Sequence, residues 1–284
     1  MSESGFTIAN KINFDDVDEL IEKNLSYILG KTGFSFIDEH FGLRPGNVHV
    51  LLSGTSSGKT SLARSLVTSL SKTNRVLWYA SEETMNAWKL RFPKTARPNI
   101  ENVKFIAESD LRPMIKSGDV KDPLLFLENQ IELFCATVFF FDNITTSTFY
   151  NDKKPNEQSI FLMQLKDITI RQKAAMFLIA HLSSNHDAGK MFTSEDVRGN
   201  RSLSNIAEYW YNLHRLRLNI ADRQDENLQT SILHVEKSRW HDNSDTAYQL
   251  TFSKRLGIYT HDNPISWTVV KELFGKNITI GKKK

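Results

Sequence analysis

The apolar run Val48-His49-Val50-Leu51-Leu52 passes directly into Ser53-Gly54-Thr55-Ser56-Ser57-Gly58-Lys59-Thr60, and that into the helical pattern Ser61-Leu62-Ala63-Arg64-Ser65-Leu66. A short strand feeding a turn of small residues that opens a helix gathers backbone N–H groups and the positive helix end around an anion. Lys59 is then placed to reach the β/γ oxygens of a nucleotide such as ATP, and Thr60 to reach its Mg²⁺. The stretch from Ser53 to Ser61 reads as a phosphate-binding loop, and an ordinary Gly/Ser turn is the competing reading. The usual pattern, G-x-x-x-x-G-K-[ST], carries glycine where this chain has Ser53. Gly54 is expected to supply the missing flexibility, so the change bears on turn geometry more than on phosphate binding.

A strand–loop–helix unit of this kind belongs in an α/β fold, and the rest of the chain agrees. Short apolar segments at 48–53, 76–80, 103–107, 137–142 and 175–181 alternate with helical stretches such as 124–134 and 158–171. That alternation predicts a mainly parallel sheet covered on both faces. After Asn200 the segments 209–218, 230–237, 247–252 and 257–260 follow closely, which suits antiparallel hairpins at the sheet edge. Ahead of the core, Phe14, Val17, Leu20, Ile21, Leu25 and Ile28 fall at helical spacing, predicting an amphipathic helix over 14–29. It can pack on its own core or on a neighbour. The loops 145–156 and 183–196 are expected to be mobile, and Gly281-Lys282-Lys283-Lys284 reads as a disordered basic tail.

Composition sets outer bounds. The chain has 284 residues, 40% of them hydrophobic, enough for one large core with appendages. The expected division is an N-terminal segment 1–31, a core 32–262 and a C-terminal tail 263–284. A net charge of +3 is too small to announce a nucleic-acid-coating surface, although it permits a basic groove. The start MSESGFTIAN has no basic and apolar leader, and no run of about 18 apolar residues occurs, so the expected location is cytoplasmic with no membrane partner. The single Cys135 lies in an apolar stretch, excludes an internal disulfide and is expected to be a buried structural thiol.

Three strand ends carry candidate chemistry. Val138-Phe139-Phe140-Phe141 ends in Asp142, which parallel strands bring to the ligand-binding edge, where it can hold Mg²⁺ through water beside Thr60. Capping of the next turn is the alternative. Val76-Leu77-Trp78-Tyr79-Ala80 ends in Ser81-Glu82-Glu83-Thr84. A carboxylate there can orient and deprotonate a water in line with the γ-phosphate, Glu82 first and Glu83 in reserve. The pair can instead simply start the helix 85–92, where acidic residues favour the dipole. Ala175–Ala180 delivers His181 to the same edge, as a polar sensor of the γ-phosphate or as a satisfied structural histidine.

Taken in order, Thr32-Gly33, Asp38, Gly42-Leu43-Arg44-Pro45-Gly46-Asn47, the phosphate loop, VLWYASEET, FFFDNIT and FLIAHLSS resemble the RecA-like ATPase core, and more narrowly the motor domain of DnaB-type replicative helicases, including phage primase-helicases. The segment 194–208 is similar to that family's Arg-Gly-Ser-x-x-Leu-x-Gln-x-Ala-Asp stretch, with Ser204-Asn205 and Glu208 departing from it. Lys237-Ser238-Arg239 matches its Lys-x-Arg at a strand end. The resemblance covers residues 32–260. It implies an α/β RecA-like P-loop core with C-terminal antiparallel edge strands, and ATP and Mg²⁺ as cofactors. Lys59, Thr60 and Asp142 would serve phosphate and metal, with Glu82 as base and His181 as γ-phosphate sensor. Lys237 and Arg239 would act on the nucleotide of an adjacent subunit in a ring, expected to be a hexamer. It further implies a helicase translocating on single-stranded DNA, possible primase or loader partners and a phage setting. DNA would be held by channel loops, with Lys153, Lys154, Asn185, His186 and Lys190 as candidates. The rival is a non-helicase ATPase of the RadA or KaiC kind, which VLWYASEET also resembles. A DNA-binding scaffold with negligible turnover is the third class.

Overall fold

The computed structural model describes residues 28–40, 42–183, 191–198, 201–216, 228–239 and 245–275. The helix expected over 14–29 lies outside them save for Ile28 and Leu29, which are not helical, and so do Asn185, His186, Lys190 and the basic tail.

Among the described residues one nine-stranded sheet organises the chain, in the order β3-β2-β4-β5-β1-β6-β7-β8-β9. Six strands run parallel: β1 (Val48–Ser53), β2 (Val76–Ala80), β3 (Val103–Ala107), β4 (Val138–Asp142), β5 (Ala175–His181) and β6 (Tyr209–Arg215). β7 (Leu228–Ser238), β8 (Thr246–Ser253) and β9 (Ile258–Ile265) add antiparallel. The first segment after Asn200 pairs antiparallel with β7, as expected of a hairpin, but its other side belongs to the parallel core. β6 pairs parallel to β1, a register that brings Tyr209 beside His49. Its apolar run Tyr209-Trp210-Tyr211 is buried on both faces, as an interior parallel strand requires.

Successive strand residues face opposite sides, and each side has its own core. On one face Leu51, Trp78, Phe140 and Phe177 pack under α1 (Ser35–Asp38), α2 (Lys59–Leu70) and α3 (Met85–Leu90) through Phe36, Leu62, Leu66, Leu70 and Trp88. On the other, Val50, Tyr79, Phe141 and Leu178 meet α4 (Glu108–Ser117), α5 (Pro123–Phe134), α7 (Pro155–Arg171) and α8 (Ser202–Ile206) through Leu111, Ile131, Leu165 and Leu203. α4 escaped the sequence reading because Pro113 lies inside it. The first half of the segment 145–156 is packed down rather than an open loop. Thr145, Ser147 and Tyr150 are buried, α6 (Thr148–Asn151) crosses it, and Thr148 donates to the buried carboxylate of Glu108 through its hydroxyl at 2.6 Å. The stretch assigned to a tail, 263–284, holds the end of β9 and helix α9 (Trp267–Gly275). Cys135 is exposed rather than buried, because it is the left-handed residue, φ 49°, on which the chain leaves α5. No helix among the described residues is long and apolar enough to cross a membrane.

One row of rings runs across five strands. Trp78 stacks on Phe140 (5.1 Å), Phe140 on Phe177 (4.7 Å), Phe177 on His49 (4.8 Å) and His49 on Tyr209 (4.6 Å). His49 is fully buried, with Nδ1 3.0 Å from the Tyr211 hydroxyl, and burial first, then the Lys166 charge, pushes its pKa down to about 3. The native state thus keeps His49 neutral where the unfolded chain protonates it below about 6.5. Stability is unaffected by this group above that pH and is lost as pH falls toward 3, at up to about 1.4 kcal/mol per pH unit. Urea unfolding between pH 7 and 5.5 should accordingly show a weaker acid dependence for His49→Phe than for the parent, and equal slopes would refute the neutral buried imidazole.

Candidate active site

The C-terminal ends of β1, β2, β4 and β5 converge on a cavity of about 460 Å³ lined by residues 55–61 of the phosphate loop, by Glu82, Glu83, Asp142 and His181, by Arg215 at the end of β6, and from the antiparallel strands by Phe252 and Tyr259. Helix α2 starts at Lys59 with no side-chain cap, so the amides of its first turn are free of the acceptors that a capping residue supplies. The loop's left-handed positions are Ser56, φ 60°, and Gly58, φ 100°. Gly54 lies outside that region, so it does not stand in for the glycine missing at Ser53. Ser53 is simply the last residue of β1, wholly buried, and its register opposite His181 shows why strand geometry tolerates a serine there.

Lys59 is 4% exposed. Its ammonium donates to the carbonyls of Ser53 (3.1 Å) and Gly54 (3.0 Å) and to Nδ1 of His181 (2.9 Å). Burial lowers its pKa to about 8, while Asp142 and Glu82 work to keep it charged. With Nδ1 accepting, the His181 proton sits on Nε2, which faces Glu82 Oε1 at 3.5 Å. Glu82 is held down at about 2, first by the hydrogen bond from His181 and then by that from Thr146, against the effect of burial. It is ionised and half-exposed to the cavity.

Glu83 has a different occupation. Arg64, 3% exposed, grips both its oxygens at 2.9 and 2.7 Å, and Arg91 approaches at 3.3 Å. Nor do the two acids start the next helix, since Thr84 caps α3 by accepting from Ala87 N at 3.3 Å. The choice of Glu82 over Glu83 as the available carboxylate is therefore geometric. Asp142 is pushed up to about 7, by burial first and by Glu83 next, against a hydrogen bond from Thr60. A hydroxyl and a buried carboxylate in contact form the hard-oxygen pair that fits Mg²⁺, which would also offset the cost of ionising Asp142.

No protein-family model and no curated protein matches the chain. Among solved structures it is similar to a KaiC-like protein from the hyperthermophilic archaeon Pyrococcus horikoshii, at 14% identity and a TM-score of 0.57, covering 84% of this chain and 98% of that one. The fold is RecA-like.

Within this RecA-like frame Lys59, Thr60, Glu82, Asp142 and His181 share one cavity, whereas Lys237 and Arg239 do not. They pair with the start of β6, at the opposite end of the sheet, roughly 13 Å along β1 from the phosphate loop. There Lys237 donates to Ser204 O (2.7 Å), and Arg239 reaches Glu208 Oε1 (3.4 Å) and Asn205 O (3.3 Å). Glu208 also binds Val48 N (2.8 Å) and Lys166 (2.6 Å), so this departure from the helicase pattern ties β1, β6 and α7 together. Lys153 and Lys154 are exposed and flank the start of α7. Lys153 Nζ lies 5.9 Å from the Phe161 ring centre, and Lys154 N is bonded to Glu157 at 2.9 Å. Sequence reasoning missed Arg64, Arg91, Arg215, Gln229, Phe252 and Tyr259, all lining the cavity. They belong to no contiguous motif, and only the sheet order assembles them.

The ion-pair geometry predicts that Glu83→Gln, which leaves the buried Arg64 guanidinium without a counter-charge, lowers stability by about 1–3 kcal/mol. Glu82→Gln, at a half-exposed position, should change it by less than about 0.5 kcal/mol. Parallel denaturant titrations of the two variants check this, and the reverse order would exchange the roles assigned to the two acids.

Proposed function

We propose that the chain is a Mg²⁺-dependent ATP hydrolase of the KaiC or RadA kind, one that uses turnover to remodel or regulate rather than to unwind duplex DNA. The observation that carries this is the single cavity in which Lys59, the Thr60–Asp142 pair and the ionised Glu82 meet. The likeness to a KaiC-like protein supports the same choice.

Each residue then has a chemical task. Phosphate oxygens take the place of His181 Nδ1, and of one or both carbonyls, on the Lys59 ammonium. Thr60 and Asp142 would hold Mg²⁺, which when bound would offset negative charge on the phosphates. Glu82 orients the attacking water and accepts its proton, and its low pKa keeps it unprotonated at neutral pH. Relieved of Lys59, His181 carries the presence of phosphate to the segment beyond β5, whose Arg198 N is bonded to His181 O at 2.8 Å.

A second reading, the ring-forming DNA helicase, is kept for one observation. Lys237 and Arg239 sit at the end of β7 away from their own cavity, so a nucleotide they reach would be a neighbouring subunit's, once they leave Ser204, Asn205 and Glu208. On that reading Lys153 and Lys154 remain candidates for holding single-stranded DNA, and six subunits, a loader and a primase remain possible partners.

ATPase rates with and without single-stranded DNA, together with strand displacement on a forked duplex, separate the readings. Turnover without displacement is the expected result, displacement moves the assignment to the helicase, and a protein that hydrolyses no ATP overturns both. Lys59→Ala should abolish turnover, and Glu82→Gln should slow it about 10²- to 10⁴-fold while retaining Mg²⁺-ATP.

A mixing experiment tests the trans pair. Glu82→Gln and Arg239→Ala proteins should each be nearly inactive, the latter by about 10³-fold or more. Mixed assemblies with exchanged subunits should regain activity, because some interfaces then have both groups intact. Verified mixed assemblies without recovery would remove Arg239 from the reaction.

A further inference from the structure

Both left-handed positions of the phosphate loop are met by side chains from the far half of the sheet. At Ser56, Arg215, the last residue of β6, donates to the carbonyl from one terminal nitrogen at 3.0 Å, and its other is fixed by Gln229 Oε1 on β7 at 2.8 Å. At Gly58 the neighbour is Tyr259 on β9. A Cβ built on Gly58 would lie 2.6 Å from the Tyr259 hydroxyl, so the two surfaces already touch. That hydroxyl shares a 3.0 Å hydrogen bond with Ser231 Oγ on β7, and Tyr259 N donates to Ser65 Oγ on α2 at 2.8 Å. Tyr259 is 4% and Ser231 1% exposed.

A serine in the left-handed region costs of order 1 kcal/mol and persists only where its surroundings over-determine it. Here the surroundings are Arg215 on one side and Tyr259 on the other, around a loop that lacks glycine at its first motif position. We infer that Arg215 and Tyr259 are positioning residues that hold the phosphate loop in its nucleotide-ready shape, so that the C-terminal antiparallel strands set part of the affinity for the triphosphate. The inference rests on the nucleotide reading above. A loop held in its bound shape spares binding the cost of ordering it, so slackening the brace raises Kd and KM while leaving the chemical step nearly unchanged.

Arg215 and Tyr259 both line the cavity, so Arg215 is left in place, Tyr259 loses only its hydroxyl, and Ser231→Ala is the variant that reports the brace alone. Ser231 does not line the cavity and acts on the loop through Tyr259. The test is Mg²⁺-ATP binding by calorimetry, with KM and kcat, for the parent, Ser231→Ala, Tyr259→Phe and the double variant, each checked for an unchanged fold by circular dichroism. Each single change should weaken binding about two- to tenfold, the worth of one hydrogen bond, with kcat within about twofold. The double should be no weaker than the worse single, because both remove the same bond. Gly58→Ala should bind poorly, and adding Tyr259→Phe should recover part of the loss by removing the hydroxyl that the new methyl meets.

Parent-like affinity in both folded single variants, a loss confined to kcat, or no recovery in the Gly58→Ala pair would overturn the brace. A parent protein that binds no Mg²⁺-ATP would instead sink the nucleotide reading, and the brace with it. Lys59→Ala marks that case, since it should lose binding whether or not the brace exists.

Discussion

The buried ammonium of Lys59 is the constraint around which the site is arranged. A lysine at 4% exposure keeps its charge only if its three N–H donors find acceptors and a counter-charge stands close by. Two acceptors are backbone carbonyls where β1 becomes the loop, and the third is an imidazole at the end of the neighbouring strand, β5. The same atom therefore pins the turn, fixes the His181 tautomer and couples two strand ends. Because phosphate competes for those donors, a bound nucleotide must loosen at least one of the contacts. The tie between β1 and β5 is thereby exchangeable, unlike the sheet hydrogen bonds behind it.

Three carboxylates share the cavity, and their surroundings drive them apart in acidity. Asp142 is enclosed beside another acid and pushed up to about 7, ready for a divalent cation, whereas Glu82 faces the cavity with His181 and Thr146 as donors and stays near 2. Glu83 is neutralised by two guanidinium groups and becomes part of the wall. Acids of nearly equal intrinsic strength are thus set apart by burial and partners alone, as the proposed division between metal binding, water activation and structure requires.

The sheet separates reaction from stability along its own length. The C-terminal strand ends hold the exchangeable polar groups, while the opposite edge is closed by Glu208 and its ties to Val48, Lys166 and Arg239. Between them the stacked row from Trp78 to Tyr209 crosses five strands, with His49 neutral at its middle. The antiparallel strands extend this frame back toward the reactive edge. β9 packs against α2 through Tyr259 and Ser65, so the helix that presents Lys59 and Thr60 is tied to the antiparallel strands within its first two turns.

Local sequence determined a great deal. The strand, small-residue turn and helix around Ser53–Ser61 were legible because phosphate binding needs those residue types in contiguous order, and the five apolar segments were legible because strands buried on both faces tolerate little else. Asp142, Glu82 and His181 were legible for a related reason, since a parallel sheet brings all its C-terminal strand ends to one edge. What sequence left open depended on distance across the fold. The choice between Glu82 and Glu83 was decided by Arg64, one helix away, and the packing of Thr145–Tyr150 involved Glu108 at the start of α4. The exposure of Cys135 followed from a left-handed turn that an apolar neighbourhood does not announce. Arg215, Gln229 and Tyr259 were invisible because their meaning comes from lying beside Ser56 and Gly58, residues more than 150 positions earlier. Contiguous motifs carry the residue types that a phosphate site needs, whereas the groups packed around those motifs are brought there by the sheet order, which only the tertiary structure can reveal.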